Sequence, residues 1–293
     1  MQARLTAYPP DQAAITRTLE SGDALRIGRA VEDGLRLEHP SISRAHAELA
    51  FRDGSWHLRD LGSKNGSFVD GIQVREAILV QACWLRLGDL YLEFTPLSEA
   101  EAAAEASGRR QRRAHVTART ARLDALERLE DLLDASLRGV VELAQCERGF
   151  VLLSQGDRFA VRASLALTPS RLSAQQFSGS VGAIRRALEQ RGSVVVNDVA
   201  MDPWLASRAS VAAAGLNALV CLPLLDGARA LGAIYADRVR PGPAINTLDL
   251  ELLEAFAETA SLWIAARRGS DLLAGGDDAL DWDAIVAAHE ATA

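Results

Sequence analysis

Between Arg4 and Pro96, apolar and polar residues alternate in short runs separated by turn-forming residues. Ile15–Leu19, Ala24–Ile27, Trp56–Arg59 and Leu90–Phe94 follow the period of two that sets one strand face on a core and the other in water. Many short strands with close turn signals predict a β-sandwich, and Asp70-Gly71 reads as a hairpin turn. The pattern then changes. Glu99–Gly108 is rich in alanine and glutamate with little to pack, and Arg109–Thr120 is strongly basic. This stretch reads as a mobile basic linker, 98–119, running into a helix. Leu123, Leu126, Leu129, Leu133, Leu137 and Val140 recur at helical spacing and predict a helix from Thr120 to Gln145. Leu126, Leu133 and Val140 also keep heptad spacing, which suits a parallel dimer contact.

Beyond that helix, strands and helices mix. Phe150–Leu153 and Ala160–Ala163 read as paired strands, Ala183–Gln190 as a helix, and Val194–Val196, Leu219–Leu224 and Ala230–Arg238 as further strands. Leu248–Arg267 closes the region as a long amphipathic helix, so 120–268 is expected to be an α+β domain. The chain is therefore expected to be multidomain: an N-terminal all-β sandwich over 1–97, the linker, the α+β domain and a tail over 269–293. Gly269–Asp278 is rich in glycine and aspartate and reads as flexible. Asp281–His289 reads as a short helix with Trp282, Ile285 and Val286 on one apolar face. That helix either packs back on the α+β domain or is a detachable partner-binding or self-inhibitory segment.

Composition narrows the functional classes. The 293 residues carry 32 Lys+Arg against 39 Asp+Glu, a formal net charge of −7, which argues against a general nucleic-acid binder. The run at Arg109–Arg113 is read as a solvated face. Cys83, Cys146 and Cys221 are far apart and lie in apolar runs, as buried thiols of a reducing compartment do. The amino terminus shows no apolar signal region and no window suits a membrane span, so a cytoplasmic, membrane-free protein is expected. Arginine far outnumbers lysine and alanine is abundant, a bias of GC-rich bacterial genomes. Lys64 is the only lysine.

That lysine falls among three polar clusters: Gly28-Arg29, Ser41-Ile42-Ser43-Arg44-Ala45-His46 and Gly62-Ser63-Lys64-Asn65-Gly66. Together they supply planar guanidinium donors, a hydroxyl, an ammonium and an amide, a set suited to a tetrahedral dianion. No acidic or histidine partner is obviously placed to activate a nucleophile, so the set reads as phosphate capture and not as transfer. The order Gly-Arg, Ser-Arg-x-His and Asp-Leu-x-Ser-x-Asn-Gly-Ser-Phe-Val-x-Gly resembles the forkhead-associated (FHA) domain, a reader of phosphothreonine peptides. The resemblance implies that Arg29 and Ser43 bind the phosphate, that Arg44 and Lys64 contact phosphate or peptide, and that Asn65 bonds the peptide backbone. It implies structural support from Gly28, His46 and Gly66. Ser67 stands where the family more often has threonine, and Asp70 is expected to add negative charge beside the site. Arginines before Thr117 and Thr120 match the context of basic-directed kinases. Both threonines are therefore candidate phosphorylation sites that an FHA pocket of the same or a neighbouring molecule could read.

The α+β region resembles a GAF domain. The resemblance rests on Glu147-Arg148-Gly149-Phe150, Val196-Asn197-Asp198-Val199, Leu222-Pro223-Leu224, Gly232-Ala233-Ile234-Tyr235-Ala236-Asp237 and the closing helix. It implies dimerisation through the domain's helices or sensing of an unidentified small molecule. Residues 123–267 lack histidine, which argues against histidine-ligated haem, and two cysteines are too few for an iron–sulfur cluster. The signature of cyclic-nucleotide-binding relatives and any bilin-type cysteine–histidine pair are also missing, so neither cofactor nor metal is expected. Trp204 and Arg208 are candidate pocket residues. The combined reading is a non-enzymatic bacterial signalling adaptor docking on a phosphothreonine protein, a Ser/Thr kinase or its substrate. The alternatives are a component of transcription control related to FHA–GAF–AAA+ activators, or a regulatory subunit of a cyclase or kinase.

Overall fold

The computed structural model describes residues 1–10, 12–156, 158–167, 180–197, 217–271, 280–283 and 286–287. The chain divides into two compact units, Met1–Arg110 and Gln111–Ala293. The first is built from β1 (Gln2–Tyr8), β2 (Ile15–Leu19), β3 (Ala24–Gly28), β4 (Gly34–Arg36), β5 (Ala47–Arg52), β6 (Ser55–Asp60), β7 (Ser67–Val69), β8 (Ile72–Val74), β9 (Glu76–Leu79), β10 (Cys83–Leu87) and β11 (Leu90–Leu97). One sheet runs β2-β1-β11-β10-β7-β8 and the other β4-β3-β5-β6-β9. Alternation does the sorting. Leu85, Leu87, Leu92 and Phe94 of the first sheet join Ile27, Leu49, Trp56 and Leu58 of the second in one buried cluster. This is the expected β-sandwich.

The pairing directions place the functional loops. β5 runs antiparallel to both β3 and β6, so the end of β3, the start of β5 and the end of β6 share one end of their sheet. At the opposite end of β7, Asp70 and Gly71 take φ of 47° and 82°, the two left-handed residues of a tight hairpin. Asp70 Oδ1 accepts the Trp84 amide at 2.9 Å. Asp70 is thus a turn residue about 13 Å of strand away from Gly66, not a charge beside the candidate site.

The expected linker is a helix from its first residues. α1 spans Glu99–Leu123 without interruption. Ser98 Oγ accepts the Glu101 amide at 3.2 Å, and the Ser98 amide donates back to the Glu101 carboxylate at 2.8 Å, a reciprocal cap. Alanine, glutamate, glutamine and arginine are strong helix formers even where no apolar stripe announces them. Within the first unit Arg4 pairs with Glu105 at 2.5 Å and Arg109 donates to Thr18 Oγ1 at 3.1 Å. The single helix expected over Thr120–Gln145 is instead the end of α1 and a separate α2 (Leu129–Leu143).

The second unit adds β12 (Arg148–Gln155), β13 (Arg158–Leu165), α3 (Val181–Gln190), β14 (Val194–Asn197), β15 (Ala218–Asp226), β16 (Arg229–Arg238), α4 (Thr247–Asp271) and β17 (Leu280–Asp281). The strands form one sheet in the order β14-β15-β16-β12-β13-β17, with α2 packed on α4. Leu133 and Val140, expected to offer a heptad dimer seam, are 0% exposed. Their stripe is spent on the unit's own core. The other sheet face, with Phe150, Leu152, Cys221 and Tyr235, packs on Ile184 and Ala187 of α3. In the tail, Leu280–Asp281 pairs with β13 where a helix start was expected, and Trp282 packs into that same core. Residues 272–279 and Ile285 lie outside the described residues, as do Trp204 and Arg208.

Gly139 sets the approach of α2 to α4, since a Cβ there would lie 2.4 Å from Phe256 Cζ. Phe256 is 1% exposed and has little room to yield. Gly139→Ala gains up to about 1 kcal/mol of helix propensity, but overpacking costs about 1–3 kcal/mol, so net destabilisation of the second unit is expected. Thermal unfolding checks this; an unchanged or raised midpoint would contradict the packing described.

Candidate functional site

Three loops meet at one end of the sandwich: 29–33 between β3 and β4, 37–46 between β4 and β5, and 61–66 between β6 and β7. Backbone rungs lock the first two, since the Arg29 amide donates to Ser43 O at 2.9 Å and the Ala30 amide to Arg44 O at 3.1 Å. The third loop joins when the Lys64 amide donates to Ser43 Oγ at 3.0 Å. Arg29, Ser43, Arg44 and Lys64 are thereby brought together. Gly28 is required by this closeness, because a Cβ at that position would sit 2.3 Å from Arg44 O. Gly66 has φ of +78°, a left-handed conformation that glycine adopts without strain.

His46 closes the arrangement from below. The Ser43 amide donates to its Nδ1 at 3.1 Å, which fixes Nδ1 as an acceptor, so Nε2–H donates to Gly66 O at 3.1 Å. The ring is 0% exposed. Burial pushes its pKa below the ordinary value, against the opposing influence of Gly66 O and Asp60. The imidazole is therefore a neutral brace with both nitrogens committed.

Asp60 and Ser41 are site residues that had no role assigned from their pattern alone. Asp60 Oδ1 accepts the Gly62 and Ser63 amides at 2.9 and 2.8 Å, and Oδ2 accepts the Ser63 and Ser67 hydroxyls, each at 2.6 Å. Burial disfavours its charge, yet these bonds prevail and hold the carboxyl below its usual value. The Asp-x-x-Ser spacing, an Asx-type turn, was the available signal. Ser67, the departure from threonine, fills its place by bonding Asp60. Ser41 is buried, and its Oγ accepts the Asp89 amide at 2.9 Å. Gly88 lies so near that a Cβ would meet Ser41 O at 2.6 Å. Asn65, expected to bond a peptide backbone, gives one Nδ2 proton to Ser41 O at 2.8 Å, leaving Oδ1 and a second N–H for another partner.

Among the described residues, the side chains of Arg29, Arg44 and Lys64 make no hydrogen bond or ion pair. All three are exposed, and Ser43 is half-buried between them. Elsewhere, Thr117 Oγ1 donates to Arg113 O at 3.1 Å and Thr120 Oγ1 to Val116 O at 2.9 Å, both inside α1.

Comparison with known proteins agrees with this geometry. The FHA domain family model matches residues 25–89 and the GAF domain family model matches residues 128–264. The chain carries an FHA domain followed by a GAF domain. The FHA domain-containing protein FhaB of Mycolicibacterium smegmatis is 34% identical over 95 residues, covering 32% of this chain and 61% of the relative. FhaB of Mycobacterium tuberculosis is 37% identical over 71 residues, covering 24% of this chain and 46% of the relative. The chain thus spans about half to six-tenths of the length of these curated relatives. Among solved structures, the first FHA domain of Mycobacterium tuberculosis Rv1747 is 30% identical, covering 32% of this chain and 97% of that one, with a TM-score of 0.28.

The neutral His46 makes the FHA domain acid-sensitive. Its folded pKa lies below the unfolded value near 6.5, so the unfolded chain binds the extra proton between the two. Stability is full above about pH 6.5 and falls as pH drops towards the folded pKa. Asp60 acts in a separate window, its contribution being lost only below its ordinary carboxylate range. Urea unfolding of the wild type should show a loss from about pH 7.5 to about pH 5.5 that shrinks in His46→Gln. Equal losses in the two proteins would contradict the assignment.

Proposed function

We propose that this chain is a non-enzymatic bacterial signal-transduction protein. Its FHA domain holds a phosphothreonine-containing segment of a partner, a Ser/Thr kinase or one of its substrates. Its GAF domain dimerises or senses a small molecule. One observation carries the first part: the uncommitted cations Arg29, Arg44 and Lys64 surround the Ser43 hydroxyl on loops fixed by a neutral histidine. Guanidinium and ammonium donors match the oxygens of a phosphate dianion. The same loops favour binding over catalysis. His46 uses both nitrogens internally and Asp60 uses both oxygens, so neither is poised to take a proton from an incoming nucleophile.

The occupant fits best as an extended segment from another protein. Thr117 and Thr120 remain internal candidates, but both hydroxyls sit on helical turns, so α1 must unwind there before either could thread the loops. For dimerisation, the heptad residues Leu133 and Val140 are consumed in the core, whereas Leu262 on α4 is 70% exposed. A homodimer through this helix predicts that Leu262→Glu lowers the mass measured by light scattering to that of a monomer. A mass identical to the wild type would remove that part of the proposal.

Immobilised degenerate peptide pools carrying phosphothreonine, phosphoserine or unmodified threonine test the docking. The wild type should be retained by the phosphothreonine pool. Arg29→Ala and Ser43→Ala should each weaken retention by about 1.5–3 kcal/mol, roughly tenfold to a hundredfold in affinity. Equal retention on all pools, or by all proteins, would refute phosphate-dependent reading.

A further inference from the structure

The outer face of the sheet β4-β3-β5-β6-β9 collects arginine. Ile27, Leu49 and Leu58 point into the sandwich core, so Arg26, Glu48, Arg52 and Arg59 point outward by alternation. The strand register sets Arg26 opposite Glu48 and Glu48 opposite Arg59, with Glu76 next in the row. Arg52 lies four residues along β5 from Glu48, and only the methyl group of Ala50 stands between them on that face.

Glu48 is 8% exposed and gathers all three guanidinium groups. Its Oε1 accepts Arg52 Nη2 at 2.7 Å and Arg59 Nη2 at 3.1 Å. Arg26 Nε stays 3.9 Å from Oε2, beyond hydrogen-bond reach. A guanidinium has five N–H donors. Arg52 and Arg59 therefore keep most of theirs, and Arg26, with its side chain 67% exposed, keeps all. Glu76 faces His57 Nδ1 at 3.9 Å and makes no ion pair with Arg59 among the described residues. Three guanidinium groups thus meet two carboxylates, and the row is left positive. A cross-strand ladder that serves stability pairs opposite charges one to one. Here a single oxygen of Glu48 holds two cations together against their repulsion.

We infer that this arginine row is a second anion-binding site, and that it takes an acidic segment of a protein partner. Glu48 is the template for the ligand group. Its one oxygen already bridges Arg52 and Arg59, and an incoming Asp or Glu side chain can repeat that contact with the unused donors. Ile78, 59% exposed, lies opposite His57 on the same face and suits a polypeptide with an apolar residue beside its acids. A nucleic acid has no matching apolar group, and the chain's net charge of −7 repels it. The row is separate from the three loops, since Arg26 and Arg29 are three residues apart, about 10 Å along an extended chain. The inference does not depend on phosphate reading by those loops.

The probe is a capped Glu-Glu-Leu-Glu-Glu peptide titrated into the nitrogen-15-labelled full chain, with Gln-Gln-Leu-Gln-Gln as its control. The arginine Nε–H signals and the amides of residues 26, 48 and 59 should shift with the acidic peptide alone, and less as salt is raised. Arg26→Gln and Arg59→Gln should each weaken binding by about fivefold, while Arg29→Ala binds the probe as the wild type does. Arg26 makes no hydrogen bond, so Arg26→Gln decides alone if Arg59→Gln proves unfolded. Absent binding, equal binding of the two peptides, or unchanged affinity in both variants would overturn the inference. So would binding that is lost in Arg29→Ala and kept in Arg26→Gln, or a single-stranded oligonucleotide that binds the row more tightly than the acidic peptide.

Discussion

An uncharged imidazole in a sealed space holds the loop-bearing end of this sandwich together. His46 receives the Ser43 amide on one nitrogen and gives its proton to Gly66 O from the other. Ser43 and Gly66 belong to different loops, so one ring fixes their spacing and leaves the Ser43 hydroxyl to the Lys64 amide. A protonated ring would lack the acceptor that Ser43 requires. Around this brace Asp60 organises the third loop, and Ser41 anchors Asn65 and the turn at Gly88. With the backbone fixed by neutral contacts, Arg29, Arg44 and Lys64 remain uncommitted, and an anion can be met without rearranging the loops.

Much of this was legible in the sequence, for identifiable reasons. The alternation in β10 and β11 announced a two-sided sandwich, and Asp70-Gly71 announced its hairpin, because both signals are local. That Arg29, Ser43, Arg44 and Lys64 lie on loops that meet was legible because ordered, spaced clusters mark loops at a shared sandwich end. The role of Ser41, itself the first residue of one cluster, and that of Gly88 were not, since their contact joins residues 47 positions apart and no local pattern reports it. α1 was misread for the opposite reason. Its residues have strong helix propensity but almost no apolar stripe, and periodicity is blind to such a helix.

The GAF domain reverses the balance between apolar and polar groups. There a buried Arg148–Asp237–Tyr235 chain sits beneath stacked rings, and burial pushes both the Asp237 carboxyl and the Tyr235 hydroxyl up in pKa. Pairing with Arg148 keeps the carboxylate charged in a place where an isolated charge would be costly. The tail's two-residue strand was invisible to sequence reading because it depends on the open edge of β13, not on its own pattern. Trp282, read as part of a short helix that packs back on the domain or detaches, is helical and lies in the core of the domain it joins from the far end of the chain.

The central claim is that the three loops form one phosphothreonine-reading surface. Nitrogen-15 NMR of the full chain, titrated with a phosphothreonine peptide and with its unphosphorylated twin, tests it most directly. Shifts confined to residues 28–30, 43–46 and 64–66, seen only with the phosphorylated peptide, are the predicted result. Shifts outside these loops, or the same shifts with both peptides, would contradict it.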